Sequence, residues 1–349
     1  MPLYASYHPY KLQFKQASGT SRGVLTYKET YFLVIKTNDK IGIGECALFR
    51  GLSADDRPDY EEKLQWLCQN INKNFDYLYH SLAEFPSIQF GLETAFISLH
   101  AQHPFVLYPS AFTAGKQHIA INGLVWMGDE AFMKQQIQEK LATGFRVIKL
   151  KIGAIDFEKE CSLLAFIRKN FDPKTIEIRV DANGAFKPHE ALEKLKQLAT
   201  YHIHSIEQPI AKNQPNEMAT LCQTSPIPIA LDEELIGVFT TTEKVKLLKT
   251  LQPPYIILKP SLVGGFTGTN EWIAIAEQNK IGWWITSALE SNIGLNALAQ
   301  YTFTKHSPMP QGLGTGGLFT NNFDSPLYVE NGFLKYDEAF EWQLPIFLK

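Results

Sequence analysis

Cysteine is scarce in this chain: Cys46, Cys68, Cys161 and Cys222 are scattered through 349 residues, and none forms a C-x-x-C pair. That spacing argues against a disulfide framework or a cysteine zinc site and predicts free thiols in a reducing compartment. Long apolar runs are missing as well, with no stretch of about 18 apolar residues to span a bilayer. The start, Met1-Pro2-Leu3-Tyr4, has no basic segment leading into an apolar run, so no secretory signal is expected. No G-x-G-x-x-G follows the first strand-like segment, which leaves a dinucleotide-binding fold without support. Positive charge is not in excess either. A net charge of −3 offers no footprint for nucleic acid or an anionic membrane. These absences predict a soluble cytoplasmic protein.

What is present is ordinary globular material, 45% hydrophobic and 20% charged, over a length that exceeds one small domain. The first hundred or so residues lack strand–helix alternation. Tyr7–Gln16, Tyr31–Thr37 and Ile41–Ala47 pattern as strands, with a flexible polar loop expected over Ser18–Gly23. Tyr60–Asn70 and Ile88–Ala101 carry apolar residues at helical spacing.

From about Ile119 the pattern changes to strands alternating with helices. The strand-like segments are Ile119–Trp126, Arg146–Lys151, Ile176–Asp181, Ile203–Glu207, Ile227–Asp232, Tyr255–Lys259, Gly282–Thr286 and Gln311–Leu313. Eight such segments with helices between them predict a (β/α) barrel. The division expected is an α+β capping unit over 1–115, a barrel over 116–321, and a return to the cap over about 322–349.

Five charged residues, Lys151, Asp181, Glu207, Asp232 and Lys259, close consecutive strand-like segments at intervals of 30, 26, 25 and 27 residues. Period-two alternation places Ile148 and Leu150 on one face and Lys149 and Lys151 on the other, and the next strands repeat the scheme. All five charges therefore point into the barrel at its C-terminal mouth, where barrel active sites form. Three converging carboxylates repel one another unless a cation neutralises them. All-oxygen ligation without histidine suits Mg²⁺ or Mn²⁺ better than zinc.

Lys149 and Lys151 project into the same space, so each is expected to lower the other's pKa and leave a neutral amine as base. Lys259 arrives from the opposite side. Asn183 and Glu233 are placed either to support the acids or, equally, to serve structural roles. Thr286, Ser287, Gly312 and Gly314, at the seventh and eighth strand ends, offer hydroxyls and N–H groups to a distal carboxylate. His202 and His204 are expected to be structural.

Lys149-x-Lys151, Asp181-Ala182-Asn183, Glu207-Gln208-Pro209, Asp232-Glu233 and Lys259-Pro260 together resemble the enolase superfamily, in its muconate-lactonizing subgroup. The resemblance implies a modified (β/α)₇β TIM-type barrel, of α/β class, with an N-terminal α+β capping domain. It also implies Mg²⁺ on Asp181, Glu207 and Asp232, and an enediolate formed by lysine from a carboxylate substrate. Ser287-Ala288-Leu289-Glu290-Ser291 and Gly312-Leu313-Gly314-Thr315-Gly316 look like the o-succinylbenzoate synthases of menaquinone biosynthesis. For that family Lys151 moves the proton, Lys259 stays cationic, and Lys149 and Arg22 are expected to meet substrate, Arg22 at a carboxylate. N-acylamino acid racemase and dipeptide epimerase, which share this chemistry, remain alternatives, as does a binding barrel without catalysis. An Asp-x-Asp that would grip a dipeptide ammonium is absent from the Gly312–Thr315 region.

Overall fold

The structure is a computed structural model and describes residues 2–20, 23–343 and 345. Strands β1 (Tyr4–Thr20), β2 (Gly23–Lys36) and β3 (Ile41–Cys46) form an antiparallel sheet with β2 in the centre. β2 is buried on both faces, which is why Tyr31–Ile35 is a continuous apolar run. Tyr31, Leu33 and Ile35 pack with residues of helices α1 (Tyr60–Asn70), α2 (Phe75–Ser81) and α3 (Pro86–His100). Phe32 and Val34 face the other way, onto Phe105 and Ile293. The close seat of α3 on β3 depends on glycine, since a Cβ at Gly44 would lie 1.9 Å from the Gly91 carbonyl oxygen.

Within the stretch expected as a loop, Ser18–Thr20 and Gly23 belong to strands, while Ser21 and Arg22 lie outside the described residues. The β1–β2 ladder runs on as far as Thr20, with Ser18, Gly19 and Thr20 opposite Leu25, Val24 and Gly23 beyond a register shift. Backbone pairing propagated along the hairpin overrides weak local strand propensity. Arg22, expected to meet a substrate carboxylate, lies outside the described residues.

The barrel begins after β4 (Ile119–Ala120). Its parallel strands are β5 (Gly123–Val125), β6 (Val147–Lys151), β7 (Glu177–Asp181), β8 (Ser205–Glu207), β9 (Ile229–Leu231), β10 (Tyr255–Leu258) and β11 (Gly282–Ile285), hydrogen-bonded in that order. The intervening helices are α4 (Glu130–Ala142), α5 (Phe157–Asn170), α6 (Pro188–Ala199), α7 (Pro215–Thr224), α8 (Thr241–Leu251) and α9 (Gly265–Gln278). α10 (Asn292–Phe303) follows β11.

The eighth position is not a full strand. Gln311 and Gly312 make single bridges to Ile121 and Thr286, which joins the two edges of the sheet. The expected strand Ile119–Trp126 is split in two. Its first half instead pairs with the C-terminal hairpin β12 (Leu327–Glu330) and β13 (Phe333–Tyr336), Ile119 opposite Leu334. Phe319 and Phe323, just before that hairpin, pack on the cap against Phe14 and Phe32.

Ile148, Leu150, Ile178, Val180, Ile229, Leu231, Ile256 and Leu258 join the main core between strands and helices. The opposite faces turn into the barrel. There Ala230, Ile257 and Trp284 cluster on its floor, with the Arg179 guanidinium 4.5 Å from the Trp284 ring. Among the described residues, no helix is long and apolar enough to cross a membrane.

Candidate active site

The strand ends deliver their charges to one place. Lys151, Asp181 and Glu207 are direct neighbours in register across β6, β7 and β8. Asp232 follows β9 and opens the short 3₁₀ turn Glu233–Leu235, and Lys259 follows β10 in the same way. Asn183 and Gln208, two residues and one residue after a strand-end acid, adopt left-handed φ of 44° and 40°. Non-glycine residues pay for that conformation, and such strain gathers where side chains must be aimed.

Lys149 bridges Glu207 and Asp181, at 2.9 Å from Asp181 Oδ2. Lys151 Nζ lies 2.5 Å from Asp181 Oδ2 and donates to Asn183 Oδ1 at 2.8 Å. Lys259 pairs with Asp232 and stands 3.7 Å from Glu207 Oε1. Asn183 ties the acids together, donating its backbone N–H to Asp181 Oδ1 and its amide to Glu233 Oε1, both at 3.0 Å. All of these side chains are buried.

Burial pushes the Lys151 amine down, opposed by Asp181 and reinforced by the ammoniums of Lys149 and Lys259. Burial also works against charge on Lys149, but Asp181 and Glu207 outweigh it and its pKa rises. The expectation that both lysines fall together therefore holds for Lys151 alone. Lys149 sits between two carboxylates and stays an ion. Lys259 is raised too, its burial overcome by Asp232, Glu207 and Glu233. Burial raises the Asp181 carboxyl, yet Lys149, Lys151 and Lys259 together hold it well below the usual range. Glu207 is raised by burial and by Asp181.

Among the described residues, no three acidic, histidine or cysteine side chains form a ready metal cage; lysine ammoniums neutralise the acids instead. The donor set nevertheless suits a hard dication. It is all carboxylate oxygen, and Glu207 Oε1 is buried without a hydrogen-bond donor.

A cavity of about 80 Å³ opens above the cluster. Lys149, Lys151 and Lys259 line it, together with Thr286, Ser287, Gly312 and Gly314, so these sequence-expected residues do converge. Ser287 contributes differently from expectation. Its hydroxyl donates to Glu290 Oε2 at 2.6 Å and accepts from Thr315 Oγ1 at 2.8 Å, leaving it no proton for a ligand. Sequence reasoning missed the walls formed by Asn122, Leu124 and Trp126. The signal was available, because these three alternate on one face of Ile119–Trp126. Leu25, Phe49, Leu52 and Leu289 complete an apolar lid.

Residues 132–339 match the family model of enolase C-terminal domain-like proteins. The chain is 46% identical over 360 residues to the o-succinylbenzoate synthase of Desulfotalea psychrophila, covering 94% of this chain and 98% of that protein. The crystal structure of MenC from the same organism superposes with a TM-score of 0.85 at 42% identity, over 95% and 99% of the two chains. A dipeptide epimerase from Cytophaga hutchinsonii, complexed with Mg and D-Ala-L-Val, shares the fold with a TM-score of 0.83. It is 22% identical over 98% and 96% of the chains. The chain belongs to the enolase superfamily. Within it, the 46% identity over nearly the full chain is to an o-succinylbenzoate synthase.

Proposed function

We propose that the protein is a Mg²⁺-dependent o-succinylbenzoate synthase, a cytoplasmic lyase of menaquinone biosynthesis. It dehydrates 2-succinyl-6-hydroxy-2,4-cyclohexadiene-1-carboxylate to o-succinylbenzoate. The observation that carries this reading is the cavity lining, which offers lysines, hydroxyls and apolar walls but, among the described residues, no carboxylate. Such a surface fits a substrate bearing two carboxylates and repays nothing to a dipeptide ammonium.

Asp181, Glu207 and Asp232 would hold Mg²⁺, with Asn183 and Glu233 fixing their orientation. When bound, the ion supplies Lewis-acid stabilisation of charge that develops on the substrate carboxylate. Lys151, its amine pushed down by burial, accepts the proton from the ring carbon that bears the carboxylate. The same ammonium then protonates the departing hydroxyl on the same face. The C–H and C–O bonds break, water leaves, the ring becomes aromatic, and Lys151 returns to its neutral state. Lys259, held cationic by Asp232 and Glu207, faces the anionic charge on the substrate. Lys149 remains an ion between the acids and keeps Glu207 and Asp181 from repelling.

Lys151 and Lys259 both line the cavity, a geometry that also serves racemisation of N-acylamino acids. The test is an ultraviolet assay of o-succinylbenzoate formation with Mg²⁺, run beside racemisation of N-succinylamino acids. Dehydration is expected to dominate; efficient racemisation without dehydration would reverse the assignment.

A further inference from the structure

Most polar side chains of the cavity are already committed. The three lysines serve the acid cluster, Thr315 donates its hydroxyl to Ser287, and Ser287 donates to Glu290. Two side chains are different. Asn122 is only 6% exposed, yet its Oδ1 has no hydrogen-bond partner, and Thr286 Oγ1 is likewise buried and unpartnered. Leaving such groups unpaired costs free energy, so native proteins rarely tolerate it unless a ligand completes them.

Their placement is not accidental to the barrel. Gly312 bridges to Thr286 on one side, and on the other the Asn122 N–H donates to the Gln311 carbonyl at 3.0 Å. Asn122, Gly312 and Thr286 are thus adjacent across the closing seam of the barrel. The gap between the two polar side chains exists because residue 312 is glycine: a Cβ there would meet Thr286 Oγ1 at 2.5 Å. Thr286 can donate its hydroxyl proton, and the Asn122 amide, turned so that its NH₂ group takes the unpartnered position, can donate as well.

Resting on the functional reading above, we propose that Asn122, with Thr286, binds an acceptor oxygen of the substrate's succinyl side chain. The acid cluster takes the ring carboxylate and the lysines take the reacting carbon. Among the described residues the other lining side chains are apolar or already committed, so this polar patch is open to the side chain's oxygens. Asn122 is a binding and specificity residue, not a proton carrier.

The test compares the full-length protein with Asn122→Leu, a near-isosteric apolar change. Binding of o-succinylbenzoate and of benzoate, which lacks the side chain, is measured in Mg²⁺ by calorimetry beside thermal unfolding. Asn122→Leu is expected to weaken o-succinylbenzoate binding about 10- to 100-fold and to leave benzoate binding unchanged. KM rises similarly while kcat stays within about threefold. Tm should hold or rise, because the substitution removes a buried polar group that has no partner in the fold. Unchanged o-succinylbenzoate binding overturns the proposal, and so does a loss of Tm with equal weakening of both ligands, which marks a structural residue. Failure of the unsubstituted protein to dehydrate would instead sink the functional reading, since the two binding measurements do not depend on turnover.

Discussion

Two buried clusters of lysine and carboxylate lie near each other in this molecule, and they are built on different terms. At the barrel mouth, Asp181, Glu207 and Asp232 are held mainly by the ammoniums of Lys149, Lys151 and Lys259, and Glu207 Oε1 has no donor. At the seam between cap and barrel, Glu45 accepts from Thr30 Oγ1 at 2.8 Å, Ser291 Oγ at 2.6 Å, and the N–H groups of Ser291 and Gly294 at 3.0 Å. Glu290 accepts from Ser261 and Ser287. Lys28 completes that cluster, its amine pushed down by burial against the pull of Glu45 and Glu290. Fixed hydroxyls and backbone donors cannot be exchanged without undoing the packing. Lysine ammoniums can share carboxylate oxygens with a dication, and they face a cavity. Buried charge alone therefore does not mark the active site; exchangeable partners beside an opening do.

The largest expected effect is at the mouth. Lys151→Ala should lower turnover by about 10³-fold or more while Mg²⁺ binding, followed by calorimetry, survives. Substantial residual activity would remove Lys151 from the proton transfer. Glu207→Gln should cost on the order of 10²-fold in turnover through weakened metal binding. Its unfolding free energy, from urea titration, should stay within about 1 kcal/mol of the parent, because the site is not built for stability.

Glu45→Ala inverts that pattern. It strands several buried donors at the seam and should cost roughly 3 kcal/mol in urea unfolding. Equal destabilisation by Glu45→Ala and Glu207→Gln would erase the distinction between the clusters.

The smallest effect lies at a third contact, where Glu93 of α3 accepts from Phe266 and Thr267 at the start of α9. Burial raises the Glu93 carboxyl from 4.5 to about 7, against those hydrogen bonds. A carboxyl raised in the fold prefers to be protonated there. Its contribution is complete below pH 4.5 and is lost as pH rises through about 7. Glu93→Gln should flatten the decline in urea stability between those values; an unchanged slope would assign the decline to other groups.

The mouth was legible in the sequence because strand alternation is a local signal. It aimed Lys149, Lys151, Asp181 and Lys259 correctly, with Ala230 and Ile257 on the floor below them. What stayed hidden depends on partners far along the chain. Lys149 differs from Lys151 because it reaches two carboxylates on other strands. The Ser287 hydroxyl looks available until Glu290 and Thr315 are seen around it. The split of Ile119–Trp126 follows from pairing with a hairpin more than 200 residues away. Glu45 and Lys28 read as ordinary cap residues until the cap closes on the barrel.

The most direct measurement follows the ultraviolet signal of o-succinylbenzoate as Mg²⁺ is added to metal-free protein with the cyclohexadiene substrate. Turnover should be absent in EDTA and rise with Mg²⁺ to saturation. Dehydration that persists unchanged in EDTA, or none at any Mg²⁺ concentration, would contradict a mouth whose lysines and carboxylates act together around a dication.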